Sequence, residues 1–537
     1  MSQHHRAPSP FTSYVEAVLA TLSATPRRTV LTDAEGRTTT AADFRDQVYG
    51  LAAELRERGA TVGATVALLT GNTVEALVAR YAANLAGARV VCLYDGMSAP
   101  TMASIMTSAE SRMLLADARQ WRLAEELRRE LPRSAEGLPT LSLGPTTNGE
   151  DVLAHALRRP AVPVPSPVGP DDDWRIGYTG GTTGVPKGIR MTHGPHREGI
   201  EGRLEGAGDP PRFLACTSLA HLAGFLVDRT LYQGGSVVLR HGFEPADVLA
   251  TIERERITHT WLLPPLLYQL LDHPALAGTD LSSLGRVTYG GTAASPARLR
   301  QAAAALGPVL YGWYGQAEAQ LITETGPGEQ EMTGPDGHLT VGRAMPGVQI
   351  EIRDTDGAAL PAGSRGEVLV RSPYAMQGYW KQPQLTAQVL RDGWVHTGDV
   401  GYLDERGYLY VVDRIKEMIV VVGGHVYPAE LEELLLRHPA VAQCTVFGDR
   451  DDEAVEHVHA AVVAAAGHQP DLAEIREFVT TRKGRIYAPE ALHVLPAIPL
   501  TAVGKPDRQR LRAQLCHPRE QARETSSDGV LSDTAAS

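Results

Sequence analysis

Hydrophobic and polar positions along this chain fall into two textures that change near residue 340. The first alternates short apolar runs with amphipathic stretches. Val66-Ala67-Leu68-Leu69 is a strand-like run, and Asn72 with Glu75 three residues later makes a capping-box-like start to a helix carrying Leu77, Val78, Tyr81 and Leu85 on one face. Val90-Val91-Cys92-Leu93 follows as the next strand. Strand, helix and strand at this spacing predict a parallel, doubly wound layer. The alternation returns with Ser236-Val237-Val238-Leu239, a helix over 245–254, and the strand Thr260-Trp261-Leu262-Leu263. Ser295-Pro296 then opens a helix through Leu306, with Pro at the first helical position.

Beyond residue 340 the strands are short and separated by glycine turns, as in Gln349-Ile350-Glu351-Ile352 and Glu367-Val368-Leu369-Val370, which predicts a small β-rich subdomain. The run Met418-Ile419-Val420-Val421-Val422 reads as a buried strand leading through Gly423-Gly424 into a helix over 429–437, closed by His438-Pro439. The boundary falls at 413–416, giving a domain 1–413, a second domain 414–517 and a tail 518–537. That tail and residues 1–10 have the polar composition of disordered ends.

Composition narrows the picture. A chain of 537 residues is too long for one core. It has no run of 18 apolar residues and no apolar leader after Met1-Ser2-Gln3-His4-His5-Arg6, so a membrane span and a secretory signal are not expected. The formal charge of −12 argues against a nucleic-acid partner, because neutralising phosphates needs a basic field. Cys92, Cys216, Cys444 and Cys516 have neither CxxC spacing nor disulfide density, which fits a reducing cytoplasm and reads as buried small apolar residues. Asp171-Asp172-Asp173 and the His4-His5 pair read as solvated rather than metal-binding.

The most chemically specific segment is Tyr178-Thr179-Gly180-Gly181-Thr182-Thr183-Gly184-Val185-Pro186-Lys187-Gly188. Glycines let backbone N–H groups approach phosphate oxygens, threonine hydroxyls add donors, and Lys187 supplies a mobile cation. It is not a Walker A loop, since Pro186 precedes the lysine and Gly188 follows it. The run resembles the phosphate-binding signature of the adenylate-forming superfamily: acyl- and aryl-CoA ligases, peptide-synthetase adenylation domains and luciferases. Four further motifs stand in that family's order. Tyr314-Gly315-Gln316-Ala317-Glu318 resembles its Tyr-Gly-x-Thr-Glu motif, with Ala317 where Thr or Ser is usual. Thr397-Gly398-Asp399, Arg414 in Val412-Asp413-Arg414-Ile415-Lys416, and Lys505 in Pro499-Leu500-Thr501-Ala502-Val503-Gly504-Lys505 complete the set.

The resemblance, covering residues 30 to 515, implies a fold and a chemistry. The fold is α/β: a large N-terminal domain of two doubly wound subdomains plus the β-rich one, and a small mobile α+β C-terminal domain hinged at Lys416. Residues 179–184, Lys187, Gly290, Gly291, Tyr314, Gly315, Asp399, Arg414 and Lys505 would hold ATP, with the tyrosine stacked on adenine and the Asp399 carboxylate accepting both ribose hydroxyls. Glu318 would bind Mg²⁺, a hard cation that takes oxygen ligands. His221, Gly291, Tyr311, Gly312 and Trp313 would line the acid pocket; His221, Lys187, Glu318 and Lys505 form the catalytic set. Gly423, Gly424 and His425 would admit a pantetheine arm.

The implied reaction is biosynthetic: an acid becomes its adenylate, diphosphate leaves, and CoA takes the acyl group. The acid would be small, aryl or medium-chain, since bulky Tyr311 and Trp313 would disfavour a long chain if they face inward. Two alternatives stay open: loading of a carrier protein, and transfer to a non-thiol nucleophile, by amide formation or by nitrite activation for diazotisation of an aryl amine. A homodimer is a candidate assembly. A nucleotide-binding regulator with a dead site would be expected to lack Lys505, Asp399 or Glu318, and all three are present.

Overall fold

The computed structural model describes residues 11–93, 97–135, 137–179, 187–202, 210–335, 337–414, 419–421, 424–450, 456–501 and 505–516. In the first sheet, parallel strands Arg89–Leu93, Thr65–Leu69, Ser111–Asp117 and Thr140–Leu143 lie side by side in that order. All of Thr65–Leu69 is buried, as a parallel strand covered on both faces requires. Asp173–Thr179 extends the sheet beyond Arg89–Leu93, and Lys187–Thr192 pairs antiparallel with it. Asp173 is therefore not a solvated linker residue. It is a strand carboxylate held by Arg190 at 3.1 Å and Arg89 at 3.8 Å.

The helix Val74–Ala86 is capped by Thr73, not Asn72: the Thr73 hydroxyl accepts the Ala76 N–H at 3.1 Å. Asn72 instead donates to the carbonyls of Thr217 and Arg240 and accepts the Leu219 N–H, tying the first lobe to the second. The helix was expected to bury one face, yet it is buried almost all round. Arg80 and Tyr81 point from it to Asp228 on the helix Leu222–Tyr232, and Asp228 also meets His196 Nε2 at 3.1 Å. Such a fully desolvated carboxylate is tolerated because it is paired; losing one partner of a buried pair typically costs about 3–5 kcal/mol.

The second sheet begins with parallel strands in the order Thr29–Thr32, Ser236–Leu239, Arg212–Ala215, His259–Leu262, Arg286–Gly290 and Leu310–Gln316. It then continues without a break into antiparallel strands Gln320–Thr325, Thr340–Ala344, Tyr408–Arg414, Trp394–Leu403, Gly366–Arg371 and Gln349–Arg353. The β-rich part is thus hydrogen-bonded to the second α/β layer through Leu310–Gln316. A register shift marks the junction at Tyr314/Gly315, where a Cβ on Gly315 would lie 2.3 Å from the Gln320 carbonyl. The helix Pro296–Leu306 forms as expected, although the Ser295 side chain makes no cap hydrogen bond.

The small C-terminal part has a three-stranded sheet, with Val441–Arg450 antiparallel to Glu456–Ala464 and Ala491–Val494 parallel to the latter. Helices Pro428–Leu435, Leu472–Lys483 and Arg508–Leu515 pack around it. The first ends two residues before the expected 437. Buried Glu430 joins the two parts, accepting from Tyr487 Oη at 2.6 Å and meeting Lys483, His338 and Arg365 at 3.0, 3.2 and 3.2 Å. Met418, Val422 and the tail 518–537 lie outside the described residues. No helix among the described residues is long and apolar enough to cross a membrane.

Candidate active site

Two groups of side chains meet at the end of the strand Leu310–Gln316. In the first, Tyr314 Oη donates to Asp399 Oδ2, and Arg414 Nε lies 3.0 Å from Asp399 Oδ1. Asp399 is 2% exposed. Burial and the neighbouring carboxylate push the Tyr314 phenol well above its ordinary range, so it stays a donor. The Thr397-Gly398-Asp399 turn is set by its surroundings. Thr397 Oγ1 donates to the Val368 carbonyl at 2.6 Å and accepts the Asp399 N–H at 3.0 Å, while Glu367 accepts the Gly398 N–H at 3.1 Å and contacts His396 Nδ1 at 3.0 Å. A carboxylate's two oxygens offer about four acceptor sites, a chemistry that suits sugar hydroxyls.

The second group is Glu318, Tyr379 and Lys187. Tyr379 Oη donates to Glu318 Oε1 at 2.7 Å, and Lys187 Nζ lies 5.8 Å from the Tyr379 ring centre. Tyr379 belongs to a two-residue strand, Gly378–Tyr379, paired with Lys187–Thr192 so that Tyr379 opposes Ile189. Its neighbour Trp380 locks that pairing: its N–H donates to the Gly188 carbonyl at 2.7 Å and its indole to the Ser108 carbonyl at 2.9 Å. Sequence reasoning missed Tyr379; the signal available was the run Gly378-Tyr379-Trp380, a glycine followed by two aromatics. The Ala317 methyl packs against the apolar group of Ile189, Met376 and Tyr379, and Gln320 Nε2 donates to the Ala317 carbonyl at 2.6 Å.

Thr179 and Lys187 are opposed in the strand pair whose connection is the glycine-threonine run. Gly180, Gly181, Thr182, Thr183 and Gly184 lie outside the described residues, as do Lys416 and Gly423; for Thr179 and His425 only the strand backbone is described. Gly424 opposes Val421 in the hairpin Ile419–Val421 and Gly424–Val426. The buried Thr292 Oγ1 and Gln316 Nε2 have no hydrogen-bond partner among the described residues. Unpaired polar atoms of that kind fit a site completed by a ligand.

His221 precedes the helix Leu222–Tyr232. Burial, with the positive charges of Arg175 and Lys505, lowers its imidazole to about 4. Tyr311 and Trp313 share one face of their strand and Gly312 lies on the other, where a Cβ would come within 2.5 Å of Thr325 Oγ1. Trp313 is 4% exposed, its indole donates to Glu324 Oε2, and its ring centre is 6.4 Å from that of Trp261. The Arg286 guanidinium lies 3.8 Å above the Tyr311 ring and pairs with Glu324. Gly290 permits close approach of these strands, since a Cβ there would fall 2.1 Å from the Trp313 carbonyl; Gly291 follows at φ +83.

The profile of the family described as AMP-binding enzyme matches residues 19–380, and that of the AMP-binding enzyme C-terminal domain matches 430–505. A medium/long-chain-fatty-acid–CoA ligase of Mycobacterium tuberculosis is 36% identical, over 85% of this chain and 82% of its own length. A fatty acid–[acyl-carrier-protein] ligase of Streptomyces coeruleorubidus is 30% identical over 89% and 92%. Among solved structures, an amide bond synthetase from Marinactinospora thermotolerans is 37% identical with a TM-score of 0.85, covering 94% of this chain and 99% of that one.

Proposed function

Since the chain belongs to the AMP-binding enzyme family, we propose that it condenses a carboxylic acid with ATP into an acyl adenylate, releasing diphosphate, and then transfers the acyl group to the thiol of CoA. The observation that carries this reading is the buried Asp399 carboxylate held between the Tyr314 hydroxyl and the Arg414 guanidinium. The Glu318–Tyr379–Lys187 group, with Glu318 four residues beyond Tyr314, supports it.

In this reading a carboxylate oxygen attacks the α-phosphorus and the diphosphate oxygen leaves in line. Little covalent chemistry falls to the protein, so catalysis rests on position and on fixed charge. Lys505 would bridge the carboxylate and α-phosphate, Lys187 would attend the leaving phosphates, and Asp399 with Arg414 would hold the ribose. The Glu318 carboxylate, one oxygen of which takes the Tyr379 hydrogen bond, suits Mg²⁺, which when bound would neutralise phosphate charge. A neutral His221 would present its imidazole to the acid without a competing cation. A domain boundary at 413–416 with a hinge at Lys416 belongs to this reading. Rotation there would withdraw Lys505 and break the Glu430 contacts to His338 and Arg365.

A second reading, transfer to an amine, is favoured by the likeness to the amide bond synthetase over nearly the whole chain. The experiment that separates the two is diphosphate release across a panel of acids, nitrite included, with CoA, with a holo carrier protein and with amines. Turnover stimulated by CoA supports the first; turnover without any thiol and stimulated by an amine replaces it with the second.

A further inference from the structure

The C-terminal part carries a cluster that adenylation does not use. His459 on Glu456–Ala464, His493 on Ala491–Val494 and Cys516 at the end of the helix Arg508–Leu515 bring one donor atom each to within 4.8 Å of one another. His459 Nδ1 is 3.2 Å from His493 Nε2 and 3.3 Å from Cys516 Sγ. Asp449, on Val441–Arg450, hydrogen-bonds the same thiol, and Arg512 Nε approaches that carboxylate at 3.9 Å.

The strand register explains the convergence. His459 opposes Ala491 while Ala461 opposes His493, so the two histidines are diagonal neighbours on one face, with the rings stacked at 5.4 Å. Phe447, opposite His459, walls the site, its ring centre 5.5 Å and 6.1 Å from the two imidazoles. Leu511 of the last helix packs on the Phe447 cluster and brings Cys516 over it.

Hydrogen bonding alone serves this group poorly. An imidazole Nδ1 carries either one lone pair or one N–H in the ring plane, and it cannot point at two partners at once. A central cation satisfies all three donors. Around tetrahedral zinc, with bonds of about 2.0–2.1 Å to nitrogen and about 2.3 Å to sulfur, donor atoms lie about 3.3–3.6 Å apart. The two separations from His459 Nδ1, 3.2 and 3.3 Å, come within a few tenths of an ångström of that, and the remaining pair lies within 4.8 Å.

We propose that His459, His493 and Cys516 form a site for a zinc-class divalent cation, its fourth position open to water, that pins the last helix to the three-stranded sheet. On binding, the sulfur–metal bond replaces the S–H bond and the thiol proton passes to solvent; nothing is oxidised or reduced. Two histidines and a thiolate suit zinc rather than calcium or magnesium.

The test is a Co²⁺ titration of the full-length, chelator-stripped protein made without a polyhistidine tag. One equivalent should produce thiolate-to-cobalt charge-transfer absorption and the visible bands of a tetrahedral site, both abolished by Zn²⁺. Cys516→Ser should lose the charge-transfer absorption, and His493→Ala should weaken binding by at least about tenfold. The wild-type spectrum decides even if a variant folds poorly: no charge-transfer absorption at saturating Co²⁺ overturns the site. An unchanged spectrum and affinity in both variants does so as well.

Discussion

Tyr314 hydrogen-bonds to Asp399 although their strands stand four steps apart in the sheet order. Four strand spacings in a flat sheet amount to about 19 Å, so the antiparallel half is rolled. That curvature carries the Asp399 carboxylate to the Tyr314 hydroxyl.

Asp399→Ala should therefore weaken ATP use rather than acid use. Charge-assisted hydrogen bonds contribute about 1.5–3 kcal/mol each, so a fall in kcat/KM for ATP on the order of 10- to 100-fold is expected. With 2′,3′-dideoxy-ATP the wild type should lose a similar factor and the variant little more. Additive losses would mean that Asp399 acts elsewhere.

Lys505→Ala should cut adenylate formation by about 10²-fold or more, the scale of one preorganised charge. Thiol attack on a supplied adenylate should be largely unaffected, because the rotated domain no longer uses that ammonium. Isotope exchange between diphosphate and ATP reads the first step and single-turnover thioester formation the second. Equal damage to both would reject the rotation.

Local order was legible where it depended on local pattern. The first parallel layer follows from apolar runs such as Val66–Leu69 and Val90–Leu93 with a helix between them. What the pattern hides is contact between distant segments. Asn72 looks like a cap beside Glu75, but its amide is claimed by Thr217, Leu219 and Arg240, and Thr73 caps instead. The β-rich segment reads as separate because no short-range signal shows that Gln320–Thr325 pairs with Leu310–Gln316. Tyr379 escaped notice because its strand is two residues long and its partner lies nearly two hundred positions earlier. Cys516 resembles a buried apolar residue until the register of three strands sets two histidines beneath it.

His221 gives the pH-dependent prediction. Its imidazole takes a proton near 6.5 when unfolded and only near 4 in the folded protein. The unfolded state therefore binds more protons between these values, and His221's contribution, complete above pH 6.5, is lost as pH falls toward 4. The melting-temperature advantage of wild type over His221→Gln should shrink from pH 7 to pH 4.5, and a pH-independent difference would refute the assignment. Because Lys505 helps to lower this imidazole, Lys505→Ala should move the His221 resonance in a histidine NMR titration to a higher pKa.

Tyr379→Phe tests the contact absent from any motif. The ring's apolar packing against Ile189 and Met376 is kept while the hydrogen bond to Glu318 is lost. Losing one hydrogen bond to a carboxylate costs about 1.5–3 kcal/mol. If it orients Glu318 for magnesium, the variant should require more Mg²⁺ for half-maximal adenylation, with kcat reduced by on the order of tenfold at saturation. A structural role alone would leave the Mg²⁺ titration where it is in wild type. Pairing the change with Glu318→Gln supplies the decisive comparison: once the carboxylate is gone, removing the Tyr379 hydroxyl should add little, whereas an additive second loss would mean that Tyr379 serves the reaction through Lys187 instead.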